Sequence, residues 1–322
     1  MKTILVTGAA GFIGARVSQL LLQQGVRVVG LDNMNDYYDV RMKEFRLKAL
    51  KAVPGFSFHT CDIEDPRALK RVFGKYKFDA VMNLAARAGV RYSMENPFVY
   101  MRTNANGTLN LLEQCRAHKI RKVLLASTSS LYAGQAMPFR EDLPVNTPIS
   151  PYAASKKAAE VMAYTYHYLY GIDVSVVRYF TVYGPAGRPD MSVFRFIKWI
   201  DEGKPLQLFG DGSQSRDFTY VDDIAAGSVK ALKNVGYKII NLGGNDPYDI
   251  NAMIALIEKY VGKKAMIRQY DFHKTDMKAT WADIGEAQKT LKWSPKVTLA
   301  QGIKRTVAWY LANKAWVSKV KV

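Results

Sequence analysis

The sequence predicts an α/β protein: a doubly wound parallel sheet with helices on both faces, followed by a smaller mixed α/β lobe. Three observations carry this. Helix and strand signals alternate through the first half of the chain. The strands there are near-continuous apolar runs, as in strands buried on both faces. The first strand also opens into a glycine-rich turn that leads directly into a helix.

Taken in order, residues 3–7 read as a buried strand, 11–24 as a helix and 26–31 as a strand. Segments 41–51 and 66–76 read as helices, with a strand at 56–61 between them. A strand at 78–84, a long helix at 97–118 and a strand at 122–127 follow. The next helix has a clear start and stop: Ser150 suits the N-cap, Pro151 the first helical position, and Gly171 the residue after Tyr170. The strand 172–180 ends the strict alternation. After Tyr183, the stretch 184–190 is a loop of Gly, Pro and charge, and shorter elements then mix. The expected division is 1–180 for the first domain and 181–322 for a lobe that returns some segments to it.

Composition narrows the function classes. Of 322 residues, 48% are hydrophobic and 23% charged, enough for a large core and incompatible with disorder. The net charge of +18 favours anionic partners, and residues 263–322 carry half of it, with 13 basic and 4 acidic side chains. Two distant cysteines and four scattered histidines exclude a disulfide scaffold and a zinc site, so no metal is expected. Free thiols fit a reducing cytoplasm. The apolar N-terminal stretch is too short for a signal segment, and no apolar run reaches the roughly 18 residues of a membrane span.

The turn after the first strand is Gly8-Ala9-Ala10-Gly11-Phe12-Ile13-Gly14, a G-x-x-G-x-x-G pattern between strand and helix. Glycines there permit a tight turn and close approach of a pyrophosphate to a helix N-terminus. Asp32 ends the next strand, where a carboxylate accepts ribose hydroxyls and repels a 2′-phosphate; Asn33 follows it rather than Arg. The pattern points to NAD, not NADP.

Tyr152 and Lys156 stand at i and i+4, on one face of the helix that Ser150 caps. A cation beside a phenol favours its ionised form, and such a tyrosine can take a proton from a sugar hydroxyl. The cluster Ser127-Thr128-Ser129-Ser130 ends a parallel strand, where ligands of such sheets bind.

Together, the glycine loop, the Ser/Thr cluster and Tyr-x-x-x-Lys resemble the extended short-chain dehydrogenase/reductase family, a resemblance that spans essentially the whole chain. Within it the sequence is most similar to NAD-dependent nucleotide-sugar 4-epimerases, above all to bacterial enzymes acting on UDP-glucuronate. The segments that carry the narrower likeness are 32–39, 88–93, 178–191 and 216–223. The resemblance implies a Rossmann-type first domain holding NAD and a second lobe holding the nucleotide sugar. It implies that Thr128 hydrogen-bonds the reacting hydroxyl, Tyr152 is the base, and Lys156 tunes it and holds the nicotinamide ribose. Further cofactor contacts are implied at Gly8, Gly11, Phe12, Ile13, Gly14, Asp32, Asn33, Asn35, Asp62, Ile63, Leu84, Ala85, Ala86, Asn104 and Tyr179. The implied reaction is oxidation at sugar carbon 4, rotation of the transient 4-keto sugar, and reduction from its other face.

The implied substrate contacts are Phe209 on uracil with Gln207 beside it, Arg216 on the diphosphate, and Arg91 and Asp276 nearby. Arg188, Thr181, Ser129 and Ser130 fall where a uronate carboxylate is held. Related dehydratases carry an Asp-Glu pair after the Thr, and related decarboxylases a Glu at the second position. Serines cannot act as general acids near neutral pH, which disfavours both reactions. The alternatives are a UDP-glucose/UDP-galactose-type 4-epimerase, a UDP-glucuronate decarboxylase, and a catalytically idle NAD-binding regulatory or scaffold protein. Departures from the family pattern are Asn83 for a usual His, Ala133 for a Gly, and Ala186 for a large residue, which is expected to widen the pocket.

A homodimer is expected through the Tyr-x-x-x-Lys helix, with Leu109, Leu112 and Met162 in the seam or in the core. In 299–317, Leu299, Ile303, Val307, Leu311 and Ala315 share one helical face, so a docked helix with a basic outer side is expected. A sharper reading of that basic side is contact with the anionic membrane surface where polysaccharide is assembled. No motif points to nucleic acid.

Overall fold

The structure is a computed structural model that describes residues 1–272 and 277–322. The first half runs β1 (Thr3–Thr7), α1 (Phe12–Gln23), β2 (Arg27–Asp32), α2 (Arg41–Lys51), β3 (Phe56–Thr60), α3 (Pro66–Phe73) and β4 (Ala80–Asn83). Then come α4 (Val90–Glu95), α5 (Pro97–Tyr100), a π segment (Met101–Asn106), α6 (Gly107–Ala117), β5 (Lys122–Thr128), α7 (Pro151–Tyr170) and β6 (Asp173–Tyr179). The remainder holds β7 (Thr181–Tyr183), α8 (Ser192–Glu202), β8 (Leu206–Phe209), β9 (Ser215–Tyr220), α9 (Val221–Lys230) and β10 (Tyr237–Leu242). It closes with β11 (Pro247–Asp249), α10 (Ile250–Val261), β12 (Ile267–Tyr270), α11 (Gly285–Leu291), α12 (Leu299–Ala312) and α13 (Lys314–Val317).

A seven-stranded sheet has the order β3-β2-β1-β4-β5-β6-β10, with every pairing parallel. Alternate residues of each strand feed two cores. Val6, Val28, Met82, Leu124 and Val177 pack with α1, α9 and α11. Leu5, Val29, Val81, Val123 and Val176 pack with α3, α6 and α7 on the opposite face. The apolar runs of the sequence follow from this two-sided burial. The order reverses between β1 and β4, and a ligand crevice opens beyond the carboxyl ends of strands at such a point.

A third core joins α8, α10 and α12 through Phe194, Ile197, Met253, Ile257, Ile303 and Val307. It lies with a three-stranded sheet, β11-β9-β7, and the pair β12-β8. From the second half of the chain, β10 pairs with β6 and extends the large sheet.

Two sequence expectations need correction. The helix expected at 97–118 is interrupted by the π segment. There the Thr108 hydroxyl donates to the Asn104 carbonyl at 2.6 Å, and Gly107 lies so close to Ile63 that a Cβ would sit 2.7 Å from its side chain. Such bulges gather at functional sites. The helix expected at 299–317 breaks at Asn313, whose amide donates to the Trp309 carbonyl and competes with the helical backbone. Leu299, Ile303 and Val307 are buried as expected, whereas Leu311 and Ala315 are exposed. Lys314 turns inward onto buried Asp201 at 2.8 Å. Leu112 is core, and Leu109 and Met162 pack against that core. Among the described residues, no helix is long and apolar enough to cross a membrane.

Candidate active site

The carboxyl ends of β1, β2, β4, β5 and β6 deliver the glycine loop, Asp32, Leu84–Ala86, Thr128 and Tyr179 to one side of the sheet. The glycines are required by space. A Cβ on Gly14 would lie 2.1 Å from the Gly8 carbonyl oxygen, and one on Gly8 would lie 2.9 Å from the backbone at Ala85. Gly8 also has φ +66°, a value that side chains disfavour. Gly11 caps α1 without a side-chain acceptor, so the first-turn N–H groups of the helix face the loop.

Asp32 is nearly buried and held from both sides. Its Oδ2 accepts from Ala10 N at 3.2 Å, and its Oδ1 accepts from Met34 N at 2.9 Å and Lys43 Nζ at 3.2 Å. Asn33 donates to Asp62 at 2.7 Å and accepts from Asn35, which ties the ends of β2 and β3. The main-chain N–H groups of Leu84 and Ala85 donate to the Thr7 hydroxyl, fixing the segment after β4 against the glycine loop. Ile63's carbonyl accepts from Asn110. Asn104, inside the π segment, receives Arg87 N and donates to the Arg87 carbonyl and to Ser155 on α7. Asn83 accepts from Thr7 and donates to Thr108, an all-polar link between β1 and the start of α6. Ile13 packs against the core, and Phe12 lines a narrow cleft with Thr181 and Arg188. The Tyr179 phenol bonds Ser228 at 2.7 Å, so its main chain, not its ring, faces the crevice.

Ser150 caps α7 by accepting from Ala153 N, and Gly171 ends it at φ +64°. That helix presents Tyr152 beside Thr128, with its ring edge-on to Tyr100 at 6.0 Å. Against the expected lowering by Lys156, burial pushes the Tyr152 phenol above its ordinary value; the bond to Thr128 and the charge of Arg188, not of Lys156, pull it back. Lys156 donates to the Ala126 carbonyl at 2.9 Å. Burial lowers its ammonium to about 8, opposed by the charge of Glu160. Glu160 is one turn further along the helix, and it accepts from Ser127 and from Nε and Nη2 of Arg178, all within the core. Its i+4 spacing from Lys156 was visible in the sequence, but its role as a buried counter-charge was not.

Arg188 donates to Asp190 through Nε at 3.1 Å and through Nη2, and to the Ala88 carbonyl at 3.4 Å. Its guanidinium lies over the rings of Tyr37 (5.6 Å) and Tyr38 (5.8 Å). Tyr37 donates to the same Ala88 carbonyl at 2.8 Å. The two tyrosines are the contacts that sequence reading missed; nothing in their local pattern signals a cation. Ser130 N donates to Thr128 Oγ1 at 3.1 Å, and buried Ser129 lies beside it.

On the β8–β12 pair, Phe209 stacks on Tyr270 at 5.3 Å, and the Arg91 guanidinium, from α4, lies 4.0 Å over its ring. Gln207 accepts from Arg195, and Arg216 donates to the Ser215 carbonyl. Asp276 lies outside the described residues. Among those residues, no group of His, Cys, Asp or Glu is placed to hold a metal.

Residues 4–243 match the model of the NAD dependent epimerase/dehydratase family. The chain belongs to that family. It is 57% identical to a UDP-glucuronate 4-epimerase of Thermodesulfobacterium geofontis, over the full length of both chains. A crystal structure of the UDP-glucuronic acid 4-epimerase of Bacillus cereus, in complex with UDP-glucuronic acid and NAD, superposes with a TM-score of 0.91 at 39% identity, covering 97% of this chain and 99% of that one. The UDP-glucose 4-epimerase of Thermotoga maritima, with UDP-glucose, gives a TM-score of 0.88 at 29% identity, covering 97% and 99%. The Rossmann-type architecture expected from the sequence is thus the family's own.

Proposed function

We propose that the protein is an NAD-dependent 4-epimerase that interconverts UDP-glucuronate and UDP-galacturonate. The observation that carries the uronate is Arg188, a guanidinium over the rings of Tyr37 and Tyr38 that lines a cleft with Thr181. A neutral hexose offers no charge for it to meet. The 57% identity to a UDP-glucuronate 4-epimerase supports the same reading.

The cradle fits NAD. Gly8, Gly11 and Gly14 let the turn pack tightly against its own backbone and against Ala85, which brings the α1 N-terminus to the crevice without intervening side chains, and Asp32 closes the adenosine side with acceptors for ribose hydroxyls. When bound there, nicotinamide supplies reversible hydride exchange with sugar carbon 4. The protein's residues do the rest. Tyr152 takes the proton of the 4-hydroxyl and later returns one, with Thr128 orienting that hydroxyl on the phenol. Lys156, held on the Ala126 carbonyl, keeps positive charge beneath the site. Phe209 and Gln207 bind uridine and Arg216 the diphosphate, which lets the sugar turn about its anchor. Arg188, Ser129, Ser130 and Thr181 hold the carboxylate. Fixing it out of line with the neighbouring carbonyl of the 4-keto sugar suppresses loss of carbon dioxide.

The second reading, a 4-epimerase of neutral UDP-hexoses, draws support from the Arg188–Asp190 ion pair, which already balances the guanidinium. Separate incubations with UDP-glucuronate and UDP-glucose, resolved by chromatography, decide between them. UDP-galacturonate from the first alone is expected; UDP-galactose from the second alone overturns the uronate. Tyr152→Phe is expected to lose about a thousandfold in turnover with its fold intact; near-normal turnover removes Tyr152 from its role.

The working form we propose is a homodimer in the cytoplasm. On α7, Val161, Tyr164, Tyr168 and Leu169 are exposed, and Phe98 and Met101 add to them from the adjoining elements. Such a large apolar patch suits an interface, and light scattering tests it. Both free cysteines are buried, which fits a reducing compartment.

A further inference from the structure

One buried cation has no part in the scheme above. Arg46 lies on α2 and is 5% exposed. Its guanidinium donates to oxygens from three separate segments. Nη1 reaches the Ala10 carbonyl of the glycine loop at 3.2 Å and the Tyr38 hydroxyl at 2.9 Å. Nε reaches the Ala186 carbonyl at 2.9 Å, and Nη2 reaches the Gly187 carbonyl at 3.1 Å. The rings of Phe12 and Tyr38 lie 5.9 and 5.6 Å from its central carbon. A rigid planar fork with five donors is the side chain able to hold so many acceptors at once.

Two features make this clamp consequential. Ala186 has φ +53°, a left-handed conformation that a side chain disfavours. Residues stay in such conformations only where their surroundings over-determine them, and Arg46 holds the carbonyl of this residue. Arg188 then follows Gly187 directly. Tyr38 supplies the second route: it receives Arg46 at its hydroxyl and lies under the Arg188 guanidinium with its ring. Arg46 thus bears on Arg188 through the main chain and through an aromatic neighbour.

We infer that Arg46 is a positioning residue for the uronate subsite: by holding the Ala186–Gly187 turn and Tyr38 against the glycine loop, it sets where Arg188 presents its charge. The inference rests on the uronate reading of Arg188. None of the oxygens that Arg46 binds belongs to Gln207, Phe209 or Arg216, so its effect falls on the carboxylate and spares the UDP moiety.

The test is calorimetric titration of the NAD-loaded protein with UDP, UDP-glucose and UDP-glucuronate, in the wild type, Arg46→Lys and Arg46→Met. Lysine keeps the charge and stem, but one ammonium cannot span four oxygens. A displaced Arg188 is expected to cost about tenfold in the preference for UDP-glucuronate over UDP-glucose. The loss is smaller in Arg46→Lys than in Arg46→Met, and UDP affinity stays within about twofold in both. In turnover, the KM for UDP-glucuronate rises more than kcat falls. An unchanged preference in variants that still bind UDP overturns the inference, as does an equal loss for all three ligands, which would make Arg46 a general scaffold. If Arg46→Met does not fold, Arg46→Lys and Tyr38→Phe decide by the same ratio. A wild type with no preference overturns the uronate reading itself, and this inference with it, before any variant is compared.

Discussion

The two sides of the crevice solve opposite problems. On the cofactor side, the polar groups are fixed by the protein's own backbone. Asp32 is held by two main-chain N–H groups and Lys43, and the segment after β4 hangs on Thr7. On the sugar-nucleotide side, the cations rest on internal partners: Arg188 on Asp190, Arg91 on the face of Phe209, Arg195 on Gln207. A guanidinium facing a site of opposite charge costs little to keep when a carboxylate or an aromatic ring already offsets it. The difference teaches where specificity is set. The cofactor side is held by main-chain contacts, whereas on the proposed sugar side each cation already has a partner within the protein.

Four changes test that contrast. The largest effect is expected at Arg188→Ala, about fiftyfold in kcat/KM for UDP-glucuronate, since a charged hydrogen bond contributes roughly 1.5–3 kcal/mol. UDP-glucose binding should barely move, and equal losses for both sugars return Arg188 to a phosphate or loop role. Next comes Gly14→Ala, which forces a Cβ against the Gly8 carbonyl. It is expected to cost about 2 kcal/mol of stability and most NAD retention. Calorimetry and the absorbance of released cofactor measure both, and full retention would contradict a side fixed by shape. Phe209→Ala is expected to weaken UDP about tenfold, the scale of base–aromatic stacking. Unchanged UDP affinity would mean that the ring serves only Tyr270 and Arg91.

The mildest change is titration. Burial lowers Lys156 to about 8, so its ammonium is present below that pH and lost above it. If the site needs that charge, kcat/KM falls as pH rises through about 8. A Lys156→Met variant with the same alkaline profile as the wild type would remove Lys156 from the mechanism.

Much of this was legible from local pattern. The glycine spacing, the acid after β2, the Ser150 cap and the i, i+4 pair of Tyr152 and Lys156 lie within single strand–turn–helix units, where geometry follows from nearby residues. Buried strands announced themselves because both their faces are apolar. The break at Asn313 and the π segment at Met101–Asn106 were not legible, because a side chain there competes for a helical carbonyl and apolar periodicity does not record that competition.

The parallel sheet, the dinucleotide loop and the Tyr–Lys helix follow from the residues alone, because each is dictated by short-range sterics, capping and periodicity. How distant side chains meet depends on the folded packing. Examples are Arg46 reaching Ala186 and Gly187 from 140 residues away, Tyr37 and Tyr38 beneath Arg188, and Glu160 clasped by Arg178 next to Lys156. Such contacts depend on the packing of whole elements, and nothing in the local chemistry of Arg46 or Tyr37 distinguishes it from a surface residue.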